Sequence, residues 1–350
     1  METKTIGVAV LGCGAVGQRR HLPEYAANKN AKIEGIFDLN QERAAELAER
    51  YDCKVYHSLE EAIGDPAVDA VSVCVPNAYH AEYTIKALNA GKHVLVEKPM
   101  ATSLEESAKI MEAWRKSGKV LMPDHNQRLV PAYKKAHELL QEGIIGDLLF
   151  FQCNFKHSGP EGWSIANSND TWFFKEDQAG FGVMGDLGVH KVDLIRYLTN
   201  SEIKSVFAEE LTLDKKFPNG EMINMDDNAI CMFTMENGLP GIMHFSWTNY
   251  GGKEDNGSII YGTKGVMKIY GDYEDDIVVE MRDGVQIKYS VGKISTNANQ
   301  LKSGVIDEFV AAITEQRKPI VTGFDGHQAL AVVIAAGESS KKGQWVDIQY

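Results

Sequence analysis

The sequence predicts an α/β protein in two parts: a doubly wound parallel sheet with helices on both faces, then an α+β unit with a large, mostly antiparallel, open sheet. Short apolar runs alternate with helical stretches up to about residue 123, and a glycine-rich turn follows the first run. The later strands are longer and alternate between polar and apolar residues, which is typical of antiparallel sheets. A chain of 350 residues has room for about two domains. We place them at residues 1–123 and 124–350.

The strands of the first part are predicted from runs rich in Val and Ile, typical of strands buried on both faces of a parallel sheet. They are Thr5–Leu11, Ile33–Asp38, Ala70–Val75, His93–Glu97 and Val120–Met122. Helices are predicted between them at Gln41–Arg50, Ala78–Ala90 and Leu104–Lys116. Ser103 followed by Glu106 is a capping-box pattern, so it marks the start of the last of these helices.

The second part is predicted from longer segments with a period of two, which suits a sheet with one face in the core and the other available to solvent or a partner. The strands are Leu148–His157, Ile203–Thr212, Asn228–Met235, Gly241–Asn249, Ile277–Met281 and Val285–Ser290. Asp283-Gly284 is a hairpin-turn signal between the last two. The helices are Asp186–Leu198, Ser303–Thr314 and Gly326–Ser340.

Composition and charge narrow the class of protein. Acidic residues outnumber basic ones by 49 to 36, so the formal net charge is −13 and nucleic-acid binding is not expected. No apolar run is long enough to span a bilayer and no signal peptide precedes the first strand, so no membrane association is expected. Five dispersed cysteines without a C-x-x-C pair indicate reduced thiols in a cytoplasmic protein, and no His/Cys cluster has metal-site spacing.

The turn after the first strand has the pattern of a dinucleotide-binding Rossmann fingerprint, running Gly12-Cys13-Gly14-Ala15-Val16-Gly17. Gly12 permits the tight turn, Gly14 lets the backbone approach a pyrophosphate, and Gly17 lets the helix pack close to the strand. The helix N-terminus then offers free N–H groups to the phosphates. The alternative is a glycine-rich turn without a ligand.

The second strand ends in Asp38, 21 residues after Gly17, where the fingerprint places an acid for the adenosine ribose. A carboxylate accepts hydrogen bonds from both ribose hydroxyls and repels a 2′-phosphate, so NAD is favoured over NADP. Arg43 lies on the next helix and does not follow Asp38 directly. The alternative role of Asp38 is to cap the helix that begins at Gln41.

Two further motifs carry side chains suited to acid–base chemistry. Lys98 lies in Glu97-Lys98-Pro99, at the carboxyl end of a parallel strand, where doubly wound sheets bind ligands. Asp186 and His190 are four residues apart on a predicted helix and share a face, so we expect a histidine with a pKa near neutrality. The alternatives are a solvated Lys98, an N-capping Asp186 and a His190 satisfied in the core.

Together these motifs resemble the Gfo/Idh/MocA family of NAD(P)-dependent sugar and cyclitol oxidoreductases, over nearly the whole chain. Besides the glycine turn, the resemblance is carried by Val75-Pro76-Asn77 with His80, Glu97-Lys98-Pro99, Gly143-Ile144-Ile145-Gly146, Asp186–His190, and the closing helix Ala335–Lys341 with Gly343-Gln344-Trp345-Val346. Two segments depart from the family pattern. Gly180-Phe181-Gly182 replaces consecutive glycines, and His125 and Leu129 stand where many members have aromatic residues. These departures bear on the substrate and not on the fold.

The resemblance implies that Lys98, Asp186 and His190 surround the reacting hydroxyl. His190 would accept its proton as hydride leaves the same carbon, and Lys98 would orient the hydroxyl and stabilise developing negative charge. Asp186 would bind a neighbouring hydroxyl or orient His190. The resemblance also implies a cis Pro99. The expected cofactor contacts are Gly12, Cys13, Gly14, Ala15, Val16, Gly17, Asp38, Leu39, Val75, Pro76, Asn77, His80, Glu97 and Lys98.

Less specific evidence concerns the substrate end of the cleft. Candidate contacts lie in or beside the segments expected to line it: Asn126, Arg128, His157, Trp163 and Trp172. Trp172 either stacks on a sugar face or packs the loop at the rim. Tyr133, Trp247 and Tyr250 are expected in the core or an interface.

The expected function is hydride transfer between NAD and a hydroxyl-bearing carbon of a sugar, sugar derivative or cyclitol. One alternative is a glycosidase or lyase that oxidises a sugar transiently with tightly bound NAD. The other is a non-catalytic NAD-sensing regulator, against which the intact Lys98, Asp186 and His190 argue. The open face of the second sheet is expected to pair with another subunit, giving a homodimer or homotetramer.

Overall fold

A computed structural model describes residues 5–165, 167–271, 275–292 and 302–350. The strands are β1 (Ile6–Leu11), β2 (Ala31–Phe37), β3 (Lys54–Tyr56), β4 (Ala70–Val73), β5 (His93–Val96), β6 (Leu121–Pro123), β7 (Leu148–Lys156), β8 (Ile203–Leu211), β9 (Asn228–Met235), β10 (Pro240–Ser246), β11 (Ser258–Gly262), β12 (Gly265–Ile269), β13 (Ile277–Met281), β14 (Gln286–Tyr289) and β15 (Val346–Asp347). The helices are α1 (Leu22–Ala27), α2 (Gln41–Tyr51), α3 (Leu59–Gly64), α4 (His80–Asn89), α5 (Leu104–Ser117), α6 (Pro131–Gln141), α7 (Glu176–Ala179), α8 (Val189–Thr199), α9 (Val305–Thr314) and α10 (Gly323–Lys342).

Two structural points bear on the expectation of no membrane association. Residues 1–4, on which the expectation of no signal peptide partly rests, lie outside the described residues. Among the helices that are described, none combines the length and the apolar character needed to cross a membrane.

The first sheet has six parallel strands in the order β3-β2-β1-β4-β5-β6, which confirms the predicted doubly wound sheet. The three-residue strand β3 escaped prediction because so short a segment has no readable period. The chain moves outward from β1 in one direction through β2 and β3 and in the other through β4 to β6. The crevice at this reversal, outside the carboxyl ends of the strands, is where such sheets bind ligands.

The second sheet has nine strands in the order β14-β13-β12-β11-β7-β10-β9-β8-β15, and every adjacent pair except β7–β10 is antiparallel. This confirms the predicted large, mostly antiparallel sheet. Burial alternates along β9: Cys231 and Phe233 point into the core, whereas Ile230 and Met232 are exposed on the opposite face. On the core side, helices α6, α8 and α10 contact the sheet.

The two parts share a hydrophobic core. Helix α9, from the second part, contributes Phe309 and Val310 to the cluster that contains Ile6 and Val8 of β1. Helix α10 packs against α5 as well as β8, so it contacts both sheets' layers. The division at residues 123 and 124 stays a prediction, but packing across it fixes the walls of the crevice.

Candidate active site

A cleft of about 360 Å³ lies outside the carboxyl edge of the parallel sheet. One end is bordered by Gly14 and Val16 of the glycine turn, and the middle by Lys98, Asp186 and His190. Segments of the second part close the other end. The predicted cofactor and catalytic motifs therefore meet in one cavity.

The glycine turn has the geometry that a dinucleotide requires. Gly12 has a φ of +89°, and a Cβ there would lie 2.7 Å from the carbonyl oxygen of Cys74. A Cβ on Gly17 would lie 2.7 Å from the carbonyl oxygen of Gly12. Apart from Gly14's own neighbours in the chain, no atom of the described residues lies within 4 Å of a Cβ placed on it, so this residue leaves room for a pyrophosphate. The segment Gly17–His21 is a π-helical turn that leads into α1.

Asp38 is fixed beside this turn. Its Oδ2 accepts a hydrogen bond from the N–H of Cys13 at 2.7 Å, and its Oδ1 accepts one from Asn40 at 2.7 Å. The guanidinium of Arg43 lies 3.4 Å from Oδ2. The alternative role of Asp38 as a helix cap is wrong, because the side chain of Asn40 caps α2. The neighbouring Leu39 is 83% exposed, as an apolar surface for a purine base would be.

His80 links two segments at the cofactor end of the cleft through contacts with the carbonyl oxygens of Pro99 and Val75. Its Nδ1 lies 2.7 Å from the carbonyl oxygen of Pro99, and its Nε2 lies 2.8 Å from that of Val75. Burial lowers the pKa of His80 to about 4. Asn77 donates its amide to the carbonyl of Ala179, 2.8 Å away in the second part of the chain. Pro76 precedes this turn, and the peptide bond before Pro99 is cis, as the resemblance implied.

A buried charged cluster under the cleft escaped the sequence analysis. Nε2 of His21 lies 2.9 Å from Oε1 of Glu97 and 3.6 Å from Oδ2 of Asp124. The guanidinium of Arg20 lies 3.3 Å from the same Asp124 oxygen. Ligand atoms of the histidine and the two carboxylates lie within 4.8 Å of one another, a spacing that a metal ion could bridge. Here Arg20 and His21 already contact the two acidic side chains, and Glu97 borders the cleft.

Lys98 and Asp186 form a pair in the middle of the cleft. Nζ of Lys98 donates to Oδ1 of Asp186 at 2.7 Å and to its carbonyl oxygen at 2.9 Å. The Lys98 side chain is 14% exposed, so the alternative of a solvated surface lysine is wrong. Asp186 lies in a π-helical turn, Met184–Gly188, and Trp247 donates its indole N–H to Oδ2 at 3.0 Å.

His190, at the start of α8, lines the same cleft, as the shared helix face predicted. Its Nδ1 is buried and has no hydrogen-bond partner among the described residues. Burial, Lys98 and then His125 lower the pKa of His190 well below its ordinary value, which corrects the expectation of a pKa near neutrality. The carboxylate of Asp186 is occupied by Lys98 and Trp247 and makes no hydrogen bond to His190 in the described part of the chain.

Four of the five candidate substrate contacts line the cleft: Asn126, His157, Trp163 and Trp172. Nδ1 of His157 accepts a hydrogen bond from the N–H of Gly159 at 2.9 Å, and its buried Nε2 has no partner within the described residues. Burial lowers the pKa of His157 to about 4. Trp172 stacks on Phe173 with ring centroids 3.9 Å apart, and Trp163 meets the same ring edge-on. Trp172 therefore packs the loop while it borders the cavity.

Arg128 does not line the cleft, which corrects the fifth expectation. Its guanidinium donates two hydrogen bonds of 2.6 Å to Asp193 and one of 2.9 Å to Asp325. A buried bidentate pair of this kind is satisfied within the protein and holds α8 against α10.

Several lining residues were not predicted from the sequence. Among them are Phe155, on β7, and Asp170, Thr171 and Phe173, in the loop that follows. Phe155 had a readable signal, because it alternates with His157 near the end of a predicted strand. The loop residues had none.

A parallel sheet with this glycine turn, and a lysine–aspartate pair at its carboxyl edge, define a dinucleotide-dependent oxidoreductase of two parts. Sequence profiles agree with that class. The oxidoreductase-family profile with an NAD-binding Rossmann fold matches residues 6–125, and the GFO/IDH/MocA C-terminal domain profile matches residues 133–268. The chain belongs to the Gfo/Idh/MocA family, which confirms the resemblance, the oxidoreductase class and NAD as the cofactor.

Relatives of known name span most of the chain. It is 28% identical to levoglucosan dehydrogenase of Pseudarthrobacter phenanthrenivorans, over 89% of this chain and 88% of the relative. It is 26% identical to scyllo-inositol 2-dehydrogenase (NAD(+)) of Bacillus subtilis, over 97% and 95%. A solved structure of levoglucosan dehydrogenase in complex with NADH and levoglucosan has a TM-score of 0.89 and 27% identity, and covers 99% of this chain and all of that one.

Proposed function

We propose that this protein is an NAD-dependent dehydrogenase that transfers hydride between nicotinamide and a hydroxyl-bearing carbon of a neutral sugar, sugar derivative or cyclitol. One observation carries the proposal: a Lys98–Asp186 pair and a partnerless His190 line one cavity with the glycine turn. Relatives that span most of the chain are named levoglucosan dehydrogenase and scyllo-inositol 2-dehydrogenase (NAD(+)).

The cofactor end is built to hold a dinucleotide. The glycine turn would receive the pyrophosphate at Gly14 and the helix N-terminus, and Asp38 would receive the adenosine ribose. Leu39 would cover the adenine, and the 75–80 segment with Glu97 would border the nicotinamide end. When bound, the nicotinamide supplies hydride chemistry, and the protein supplies position and charge.

The catalytic roles follow from hydrogen-bonding capacity. A neutral His190 can accept the hydroxyl proton at Nε2, since Nδ1 is fully buried and no hydrogen bond to Nε2 is found among the described residues. Lys98 would donate to the reacting oxygen, with its charge balanced by Asp186. Asp186 would hold a neighbouring hydroxyl; its bonds to Lys98 and Trp247 favour this role over orienting His190.

The substrate end suits an uncharged polyhydroxylated ring. Its walls include Phe155, Trp163, Trp172 and Phe173, whose faces can cover the apolar side of a sugar. The cations that line the cavity among the described residues are Arg20, Arg43 and Lys98, and each already faces a carboxyl group, of Asp124, Asp38 and Asp186 respectively. A phosphate or carboxylate group would be buried without a counter-charge, which costs binding energy.

The proposal extends to assembly and location. Ile230, Met232 and Ile242 are exposed on neighbouring strands β9 and β10, and register pairs Met232 with Ile242. We propose that this face pairs with a second copy in a homodimer or homotetramer, since a monomer rarely leaves contiguous apolar surface exposed. The five free cysteines support a reducing, cytoplasmic location.

The test is a panel of neutral sugars, inositols, sugar phosphates and sugar acids assayed with NAD. Accumulation of NADH with a neutral member, and a much lower kcat/KM for its phosphorylated or acidic counterpart, are the expected results. Product formation without net NADH would instead indicate transient oxidation, as in the glycosidase or lyase alternative. No turnover of any kind with tight NAD binding would reject the enzymatic proposal.

A further inference from the structure

Asp226 and Asp227, the two-residue turn directly before β9, hold the start of the π-helical segment that carries Asp186. The N–H groups of three consecutive residues point at Asp226. Gly182 donates to Oδ1 at 3.0 Å, Val183 to the carbonyl oxygen at 2.8 Å and Met184 to Oδ2 at 2.8 Å. These residues lead directly into the π-helical turn with Asp186, so Asp226 satisfies N–H groups that would otherwise be unpaired there.

The contact leaves no freedom at Gly182. A Cβ at that position would lie 2.0 Å from the carbonyl oxygen of Asp226 and 2.4 Å from its Oδ1. The glycine is needed here for the close approach of another segment, whereas Phe181 before it packs its ring against the Cβ position of Gly185. Close packing at Gly182 and Gly185 therefore fixes the position of Asp226 relative to the segment that carries Asp186.

The adjacent Asp227 holds a second arm of the same unit. Its carbonyl oxygen accepts the N–H of Trp247 at 2.8 Å, and its carboxylate accepts three consecutive N–H groups of residues 213–215. Trp247 is fully buried, and its indole reaches across to Oδ2 of Asp186. Asp186 is thus fixed twice from this turn: through its own helix by Asp226, and at its carboxylate by Trp247.

We propose that Asp226, Asp227 and Trp247 form a positioning unit that aims the Asp186 carboxylate at Lys98 and the substrate. The inference rests on the catalytic roles proposed above. An indole N–H on Oδ2 stops the carboxylate from rotating, so Oδ1 stays on Lys98 and the ammonium keeps one direction. Such control of orientation affects turnover more than binding.

Trp247→Phe tests the unit, because it removes the N–H and keeps an apolar ring. We expect kcat per folded molecule to fall about tenfold, as loss of one hydrogen bond to a charged group predicts, with KM changed less than about threefold. NAD affinity, measured by quenching of protein fluorescence or by calorimetry, is expected to stay unchanged. Trp114→Phe is the matched control, since its indole donates at 2.9 Å to the carbonyl of Lys119, away from the cleft.

A double-mutant cycle with Asp186→Ala separates positioning from a general packing role. If Trp247 acts through Asp186, Trp247→Phe has little further effect on kcat in the Asp186→Ala background. An equal loss in both backgrounds would overturn the inference and leave the proposed function standing. Wild-type turnover in Asp186→Ala alone would instead reject the role of Asp186 in the proposed function.

Asp226→Asn provides a second variant that does not touch the core tryptophan. The amide keeps one acceptor and loses the other, so one of the N–H groups of Gly182 and Met184 loses its partner. We expect kcat to fall with KM nearly unchanged, and the effect again to shrink in the Asp186→Ala background. A parallel rise in KM and fall in stability, with unchanged kcat, would contradict a positioning role.

Discussion

Two buried histidines, one beneath the cleft and one lining it, have surroundings that shift their pKa values in opposite directions. His21, on the cofactor side, has its Nε2 between the carboxylates of Glu97 and Asp124. His190, on the catalytic side, has no carboxylate partner in the part of the chain that is described, and it lies near Lys98. Burial alone lowers the pKa of both. At His21, Cys74 and hydrogen bonds to Asp124 and Glu97 outweigh burial, so the pKa is raised well above its ordinary value. At His190 burial is not outweighed, so the pKa is well below its ordinary value.

Because both histidines are buried, the difference between their pKa values comes from their neighbours. The neighbours therefore distinguish a structural histidine from a reactive one. His21 also accepts or donates at Nδ1 to Ser72, 3.2 Å away, so both ring nitrogens are engaged. Its cluster joins His21 and Arg20 to Glu97 and Asp124 by buried polar contacts and can stiffen the floor of the site. His190 keeps a ring nitrogen for a substrate proton. Substitution of each residue therefore tests a different property.

The largest expected effect is on turnover in His190→Ala. If His190 is the general base, turnover should fall by roughly 10²–10⁴. NAD affinity should be nearly unchanged, because the expected cofactor contacts lie on the glycine turn and Asp38. His137→Ala is a control outside the cleft, where the ring stacks on Tyr197. Near wild-type turnover per folded, NAD-bound molecule would leave only a dinucleotide-binding protein of this fold.

His21→Ala should instead reduce stability. Removal of the imidazole leaves Glu97 and Asp124 facing each other with Arg20 alone to balance them, and breaking a buried ion pair costs about 3–5 kcal/mol. Urea unfolding measures this loss, and turnover per folded molecule should fall less than in His190→Ala. Loss of turnover in His21→Ala without a change in the free energy of unfolding would contradict the structural role of His21.

Lys98→Ala should lower turnover by about 10²–10³, the usual effect of removing one donor to a developing oxyanion. Because Lys98 and His190 act on one hydroxyl, the double variant should lose less than the product of the two single losses. Lys98→Ala should also weaken binding at the nicotinamide end, which a dissociation constant for NAD would report. Fully multiplicative losses would show that the two residues act in separate steps.

The smallest expected effect concerns cofactor choice. Asp38→Ser removes the carboxylate and leaves Arg43 free of its 3.4 Å contact, so the preference for NAD over NADP should narrow by about tenfold or reverse. The ratio of kcat/KM for the two cofactors measures it, with Asp52→Ser on the far end of α2 as a surface control. Equal use of both cofactors by the wild-type protein would remove the ribose role from Asp38.

Local motifs explain what the sequence could predict. The glycine turn and Asp38 are set by a strand, a turn and a helix within one stretch of chain, so spacing was enough to place them. The set of Lys98, Asp186 and His190 needed the family resemblance, since nothing in the spacing of residues 98 and 186 places them 2.7 Å apart.

Long-range packing explains what the sequence could not predict. Arg128 looked like a substrate contact, because nothing local shows that Asp193 and Asp325, 65 and 197 residues further on, surround its guanidinium. Asp226 and Trp247 gave no signal either, since their roles rest on contacts with residues 182–186 that exist only in the folded chain. The pKa of His190 was misjudged because burial and Lys98 lower it, and because the carboxylate expected beside it, that of Asp186, bonds to Lys98 and Trp247 instead.

The most direct test of the account is a nuclear magnetic resonance titration of the histidines, with signals assigned by His21→Ala and His190→Ala. A histidine with a lowered pKa stays neutral as pH falls until that lower value is reached, so His190 should be neutral at about pH 7. A histidine with a raised pKa is still protonated there, so His21 should carry a charge. Oxidation of substrate should then decline only as pH falls below the ordinary histidine range of about 6.5. A protonated His190 and a neutral His21 at about pH 7 would contradict the assignment of base and structural cation.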